Sequence, residues 1–357
     1  MIASRSAGSA VRPGEELDVA AVDAFLKARV PGLDGTPRVT QYTGGASNWT
    51  YRLAYPSHDL VLRRPPAGTK AKSSHDMRRE FRVQQALRPV YRYVPEMIAF
   101  CDDPGVLGCD FYVMRRVPGI IPRANLPEGM TLSPEAARLM CLSVLDRLVE
   151  LHQVDPKEAG LEDLGRGAGY CRRQIEGWSD RYRRARTWNV PRFGRVMDWL
   201  ARNVPEDAAT CVIHNDFRFD NIVLDADDPT RVVGVLDWEM ATLGDPLMDL
   251  GNSLAYWVEA ADDFVIRSVR RQPTHLPGML TRSEVVEAYF ERTGRAPRDV
   301  TFYEVYGLFR LAVIAQQIYY RFHHRETRNP AFRHFWLLAH YLERRCRKRM
   351  EEGGVAS

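Results

Sequence analysis

Read along its 357 residues, the chain changes its hydrophobic rhythm twice. Residues 18–30 place Val19, Val22, Phe25 and Leu26 at helical spacing, with Leu17 just before and Pro31 as the stop, which predicts a short helix. The stretch that follows alternates instead. Val39–Tyr42, Trp49–Tyr55, Leu60–Arg63 and Phe111–Arg116 are short β-branched or aromatic runs bounded by glycine, proline or aspartate, as strands are. Between them, 74–88 has a helical pattern (Met77, Phe81, Gln84, Leu87) behind a Ser74 cap. Asp103-Pro104-Gly105 reads as a turn between two further strands. Residues 36–117 are therefore expected to form a small twisted sheet with one helix laid across it.

After Pro118-Gly119 the pattern becomes mainly helical. Ser133-Pro134 is a cap followed by a first-turn proline, and Leu139, Leu142, Leu145, Leu148, Val149 and His152 keep the helical beat behind it. Further helices are expected over 170–186 and 192–203, and then from Asp245 onward with breaks near 272–281 and 293–300. Two strand-like pieces interrupt them, Ile222–Leu224 and Val232–Leu236, separated by the acidic turn Asp225–Pro229. The fold class is thus α+β. A loose N-terminus over 1–16 leads to a sheet-containing lobe over 17–117 and a helical lobe over 118–350, with a loose tail over 351–357.

Composition narrows the field. Hydrophobic residues at 45% and charged residues at 27% exclude a disordered or fibrous chain. Six cysteines without a Cys-x-x-Cys pair read as reduced thiols. The most apolar stretch, 311–320, is broken by Gln316 and Gln317 and preceded by Arg310, and no signal-peptide core follows the N-terminus. A cytoplasmic protein without membrane contact is expected. Of 50 basic residues only five are lysine (27, 70, 72, 157 and 348), and none of the five follows a glycine, which excludes a Walker-type P-loop. Neither a Gly-x-Ser-x-Gly elbow nor a Gly-x-Gly-x-x-Gly fingerprint is present. The basic run Arg344–Arg349 reads as a solvated helix end, so no nucleic-acid partner is expected.

The chemistry concentrates in His214-Asn215-Asp216-Phe217-Arg218-Phe219-Asp220-Asn221, which runs into the first of the two strand-like pieces. Asp237 closes the second. Phosphoryl transfer from a nucleotide needs one carboxylate to orient the acceptor hydroxyl and take its proton, and others to hold Mg²⁺ on the phosphates. A His-x-Asp-x₄-Asn loop leading into a strand hairpin, with an Asp at the hairpin's far end, supplies that set. His214 reads as a residue that holds the loop. Asp245 reads as a helix cap and Asp249 as a brace beneath the loop.

These residues resemble the aminoglycoside phosphotransferase and choline kinase group, small-molecule relatives of the protein kinases, over roughly 36–345. The resemblance implies a bilobal kinase-like fold with a small mixed sheet, and the use of ATP and Mg²⁺. It makes Asp216 the catalytic base and Asn221 and Asp237 the metal ligands. It also implies that Gly44, Gly45 and Ser47, in the turn Thr43–Asn48, cover the phosphates. Arg63, at the end of Leu60-Val61-Leu62, stands where kinases carry a phosphate-binding lysine, with Glu80 as its helix partner. Lys70 or Lys72 could reach in instead, but a solvated loop position explains them better. Arg115 and Val117 become hinge residues whose main-chain atoms meet adenine.

Leu62-Arg63-Arg64-Pro65-Pro66, Arg79-Glu80-Phe81-Arg82-Val83 and Leu308-Phe309-Arg310-Leu311-Ala312 resemble the subgroup fused to acyl-CoA dehydrogenases. That subgroup is associated with phosphorylating hydroxyacyl-CoA thioesters. The acceptor region is not acidic in bulk, which suits an anionic substrate better than a cationic one; Arg173, Arg310 and Arg321 are arginines that could face it. The partner expected is therefore a small-molecule alcohol. Two alternatives stand beside it: an aminoglycoside O-phosphotransferase, and a nucleotide-binding regulatory module without turnover.

Overall fold

Leu60, Val61 and Leu62 form an unbroken apolar run, and in a strand such a run demands cover on both faces of the sheet. The computed structural model, which describes residues 8–42, 48–66 and 76–354, supplies that cover. Strands β1 (Arg38–Gln41), β2 (Trp49–Ala54), β3 (Asp59–Arg64), β4 (Met97–Cys101) and β5 (Phe111–Arg115) form a sheet in the order β1-β2-β3-β5-β4. Every pairing in it is antiparallel, so the sheet is not mixed as expected. Helix α1 (Val19–Lys27), capped by the Asp18 side chain, lays Val22, Phe25 and Leu26 on the face formed by Tyr51, Leu53, Leu60, Leu62, Phe111 and Val113. Helix α2 (Met77–Leu87) covers the opposite face, where Met77 and Phe81 meet Val61, Tyr112 and Met114. Its cap is Asp76, whose carboxylate accepts the Arg79 N–H; Ser74 lies outside the described residues. Two helices thus sandwich the sheet where one was expected. Each large side chain buried there contributes about 1.5–3 kcal/mol.

Between β4 and β5, Asp103-Pro104-Gly105 opens a one-turn helix, α3 (Pro104–Leu107), rather than a plain turn. Asp103 caps it, Pro104 fills its first position and left-handed Gly108 ends it.

Packing divides the chain into two units. The first comprises residues 1–147, 157–161 and 219–241; the second comprises 148–156, 162–218 and 242–357. The first unit therefore takes in the hairpin of β7 (Ile222–Leu224) and β8 (Val232–Val235), which is fastened in place. Ile120 and Leu224 exchange both main-chain hydrogen bonds at 2.8 Å, and the Val235 N–H reaches the Tyr93 carbonyl at 2.8 Å. Gly119 makes that seam feasible. At φ 147° a Cβ on it would lie 2.2 Å from the Leu224 carbonyl oxygen, so no other residue fits.

The second unit is mainly helical. Helix α4 (Pro134–His152) begins in the first unit and ends in the second. Then come α5 (Tyr170–Ala185), α6 (Gly194–Arg202), α7 (Pro246–Ala255), α8 (Phe264–Ser268), α9 (Arg282–Thr293), α10 (Thr301–His323) and α11 (Phe335–Gly354). Strands β6 (Cys211–Ile213) and β9 (Thr242–Gly244) pair antiparallel. Every residue of α7 is buried, as befits a helix surrounded by protein. It crosses α10 backbone to backbone, because a Cβ on Gly307 would sit 2.1 Å from the Gly251 carbonyl oxygen. None of the six cysteines is in a disulfide, and five of them are buried. Among the described residues no helix is long and apolar enough to cross a membrane.

Candidate functional site

The β7–β8 hairpin brings the two ends of the expected metal pair together in the first unit. Ile222 faces Val235 in register, and the Leu236 N–H donates to the Asn221 carbonyl at 2.8 Å. Asn221 therefore enters the hairpin beside the point where Asp237 leaves it. Asp237 adopts a left-handed backbone (φ 67°, ψ 62°), a conformation that aspartate tolerates better than most residues. The turn is pinned by fully buried Trp238, whose indole N–H donates to the Val235 carbonyl at 2.9 Å and whose ring meets Tyr91 edge-on at 5.9 Å.

Strand alternation sends Leu60 and Leu62 to the α1 face and Val61 and Arg63 to the α2 face. There Arg63 donates through Nη1 to Glu80 Oε1 at 2.8 Å and through Nη2 to Asp237 Oδ1 at 3.1 Å. Glu239 Oε2 lies 3.6 Å from the same Nη2 and accepts from the Asn48 side-chain amide at 3.1 Å. The Tyr112 hydroxyl donates to Glu80 Oε1 at 2.8 Å. Arg79 holds the Glu239 and Ala241 carbonyls from outside. Among the described residues, three carboxylates thus gather on the Arg63 guanidinium, and the Arg79 charge also acts on Glu80. Burial disfavours the Arg63 charge, but the carboxylates outweigh it and keep the guanidinium well above its usual range. Glu80 goes the other way: burial first, and then the Asp237 charge, outweigh Arg63 and Tyr112 and raise its carboxyl.

Of the remaining nucleotide-binding expectations, Gly44, Gly45 and Ser47 lie outside the described residues, as do Lys70 and Lys72. The Arg115 N–H is spent on the Glu96 carbonyl at 2.8 Å, and its side chain pairs with the Glu96 carboxylate at 2.7 Å. That leaves the Arg115 N–H no part in meeting adenine. Val117 is half-buried, with its side chain against Gly234.

The chain passes from the second unit into the first between Arg218 and Phe219, so the loop His214–Arg218 belongs to the helical unit. The β6–β9 pair delivers this loop, and Asp249 of α7 holds it from beneath. Its fully buried carboxylate accepts the His214 N–H at 2.8 Å and the Asn215 N–H at 2.7 Å. It also accepts His152 Nε2 at 3.2 Å. Since a carboxylate only accepts, Nε2 carries the proton, and in the neutral ring Nδ1 takes the Tyr289 hydroxyl at 2.8 Å. Burial alone would raise the Asp249 carboxyl, but the His152 bond and charge, together with His214, pull it below the ordinary value.

Asn215 is left-handed (φ 65°), and its side-chain carbonyl accepts from the Tyr170 hydroxyl and the Asn252 amide, both at 3.2 Å. Buried His214 takes the Asp216 N–H on Nδ1 at 3.2 Å, the loop-holding part expected of it. The Ser253 hydroxyl donates to the Phe217 carbonyl at 2.8 Å. With its backbone locked, the loop presents the Asp216 carboxylate, 21% exposed, in a 3.0 Å ion pair with Arg218.

One other acidic group is structural. Cys171, Asp207 and Asp245 cluster closely, but both carboxylates are engaged as helix caps. Asp207 takes the N–H groups of Gly169, Tyr170 and Cys171 at 2.6–2.9 Å, and Asp245 takes those of Leu247 and Met248 at 2.8 and 2.9 Å.

Three participants were not anticipated from the sequence. Glu239 follows Asp237 by two residues, so its proximity to the metal pair was the available signal. His152 had been counted as one more beat of an apolar stripe. Arg218 sits inside the loop motif itself.

Comparison with known proteins bears on this arrangement. A family model described as "Phosphotransferase enzyme family" matches residues 38–285. Acyl-CoA dehydrogenase family member 11 of Rattus norvegicus is 35% identical over 320 residues, which is 87% of this chain and 40% of the relative. The chain thus spans about two-fifths of the length of that relative. A candidate aminoglycoside phosphotransferase from Ralstonia eutropha JMP134 superposes with a TM-score of 0.80 at 30% identity, covering 94% of this chain and 99% of that one. Choline kinase from Cryptosporidium parvum Iowa II gives 0.64 at 12% identity, covering 95% and 98%. A thermostable mutant of the aminoglycoside phosphotransferase APH(4)-Ia, complexed with AMP-PNP and hygromycin B, gives 0.57 at 15% identity, covering 93% and 99%. The last two likenesses establish the kinase-like fold alone.

Proposed function

The chain belongs to the phosphotransferase enzyme family, and from that premise we propose that it moves the γ-phosphate of ATP to a hydroxyl of a small molecule. The observation that carries the proposal is the gathering of three carboxylates, Glu80, Asp237 and Glu239, on the Arg63 guanidinium, beside which a divalent cation would be favoured. The donor set is oxygen only, which suits Mg²⁺. Asn221 and Asp237 would hold it, with Glu239 placed to join them. When bound, the ion neutralises charge on the nucleotide phosphates. The AMP-PNP complex of a fold neighbour supports ATP as the donor.

The chain's own residues then divide the labour. Arg63 contacts phosphate oxygens while Glu80 fixes its direction. Asp216 accepts the proton of the acceptor hydroxyl, and Asp249 keeps the loop that carries Asp216 in one shape. Catalysis is positioning and charge neutralisation rather than covalent chemistry. For the acceptor we favour a hydroxyacyl-CoA thioester. That choice is supported by the likeness to acyl-CoA dehydrogenase family members and by an acceptor region that is not acidic in bulk.

An ADP-release screen over hydroxyacyl-CoAs, aminoglycosides, amino alcohols and sugars tests the reading. Turnover with an aminoglycoside alone replaces the acceptor, a second reading favoured by the Ralstonia likeness. Nucleotide binding without turnover on any alcohol replaces the enzyme with a regulatory module. Asp216→Asn is expected to abolish transfer and retain nucleotide binding; undiminished turnover in that variant removes Asp216 from the mechanism.

A further inference from the structure

Of the arginines expected to face the acceptor, Arg173 holds the Gly167 and Ala168 carbonyls, and Arg310 is buried over the ring of Trp178. Arg321 stays exposed in the last turn of α10, and beyond it lies a hollow that the scheme above does not use. The hollow has a volume of about 520 Å³ and is lined by Tyr319, Phe322, His323, Arg325, Thr327 and Arg328, all in the second unit. Such a volume suits a small organic ligand. Planar rings supply one part of the lining and two guanidiniums another. Residues 321–333 carry four arginines against the single carboxylate of Glu326. Among the described residues neither Arg325 nor Arg328 has an ion pair.

Arg325 also stands where a side chain is a disadvantage. Its N–H reaches the Phe322 carbonyl at 3.0 Å, and the Glu326 N–H reaches the Arg321 carbonyl at 2.8 Å, the paired bonds that close a helix around a left-handed residue. Glycine is favoured at that position, yet Arg325 occupies it at φ 62°. A strained arginine without a carboxylate partner, on the wall of a hollow, is accounted for by a bound anion.

We propose that the hollow binds the phosphorylated adenosine end of a CoA thioester, with the rings stacked on adenine and Arg325 and Arg328 on its phosphates. The proposal deepens the reading of the acceptor as a hydroxyacyl-CoA and rests on it. In CoA a long pantetheine arm separates the nucleotide from the thioester, so the hollow need not adjoin the reacting hydroxyl. Gly251, two residues past the loop-holding Asp249, meets α10 at Gly307, and Tyr319 lies about 18 Å farther along that helix.

Calorimetry with CoA, 3′-phosphoadenosine 5′-phosphate, pantetheine and Mg-ATP, on the wild type, Arg325→Gly and Arg328→Ala, tests this. The wild type is expected to bind CoA and its nucleotide fragment more tightly than pantetheine. Each variant should lose about 10-fold for both nucleotides of the CoA series and keep Mg-ATP affinity within about twofold, which also shows that it is folded. Arg325→Gly should at the same time melt about 2 °C higher, so its weaker binding is not damage to the fold. In turnover, KM for a hydroxyacyl-CoA should rise with the loss of CoA affinity while kcat holds. Undiminished CoA affinity in both variants, no CoA binding by the wild type, or equal losses for CoA and Mg-ATP overturns the proposal. So does a loss confined to Mg-ATP, which would assign the hollow to free nucleotide. A wild type that binds CoA through Arg325 and Arg328 yet turns over no hydroxyacyl-CoA overturns the acceptor reading and leaves the hollow a CoA site.

Discussion

Among the carboxylates almost wholly removed from water are Glu80 in the sheet unit and Asp249 in the helical unit, and the acidities of these two move in opposite directions. Burial pushes both upward, so burial does not explain the difference. Asp249 is met by two main-chain N–H groups and an imidazole N–H, donors that the folded loop has already aimed at it. Glu80 is met by Arg63 and the Tyr112 hydroxyl, both on Oε1, while Oε2 has no partner. Arg63 is moreover shared with Asp237 and Glu239. One site is fully served by fixed dipoles and is ready as it stands. The other shares the Arg63 guanidinium among three carboxylates and leaves Glu80 Oε2 without a hydrogen-bond partner. On the proposed phosphotransfer reading, that contrast separates the part that would position the acceptor's proton from the part that would take nucleotide and metal.

The most damaging way to probe the contrast is Arg63→Ala, which strands Glu80. It should cost about 3–5 kcal/mol in urea unfolding, whereas replacing Arg63 and Glu80 together by Met should restore most of it. A double variant no more stable than the single one would mean that Glu80 is not held by Arg63. Next comes Asp249→Asn, which turns an amide N–H against main-chain donors and should cost about 3 kcal/mol.

The pH dependence of these effects has opposite signs in the two units. The Asp249 carboxyl is lowered by folding, so its contribution is complete above the unfolded value and is lost as pH falls through the folded one. The stability gap between wild type and Asp249→Asn should hold steady from pH 8 to about 5 and begin to close only below about pH 4. The Glu80 carboxyl is raised, so protonation relieves it. The gap between wild type and Glu80→Gln should therefore shift in favour of the wild type on acidification from neutral towards the unfolded glutamate value.

A smaller effect is expected from His152→Leu, about 2 kcal/mol for one charge-assisted bond, with nucleotide affinity unchanged. A parallel fall in nucleotide affinity would show that the two units do not divide the work. The smallest is the response to Mg²⁺ without nucleotide. It should raise the unfolding free energy of the wild type by about 1 kcal/mol at a concentration a few times Kd, and that of Asp237→Asn by less.

What was legible in the sequence follows chain locality. The Asn221–Asp237 hairpin could be read because its strands adjoin, and Arg63 with Glu80 because kinase order places a strand end before a helix. Asp249 as a brace was legible from its position one turn into a capped helix. Its partner His152 was not, since 97 residues separate them and a histidine at the end of an apolar stripe gives no sign of facing an aspartate. Asn48 and Glu239 are 191 residues apart and invisible for the same reason. The antiparallel sheet was misjudged as mixed because alternation reports which faces are buried, not which way neighbours run. Asp103-Pro104-Gly105 was misjudged because a capping aspartate and a first-turn proline start turns and short helices alike.

Asp249 also imposes a schedule. The main-chain groups of His214 and Asn215 find their acceptor 35 and 34 residues later in the chain. While the protein is being synthesised, His214–Arg218 emerges before Asp249 exists to hold it, and His152 must likewise wait for α7 to supply its carboxylate partner. A nascent chain halted before residue 249 would own every residue of the His-x-Asp-x₄-Asn motif and still lack the loop's anchor. The proposed activity thus depends on an anchor that is made only after the motif it holds.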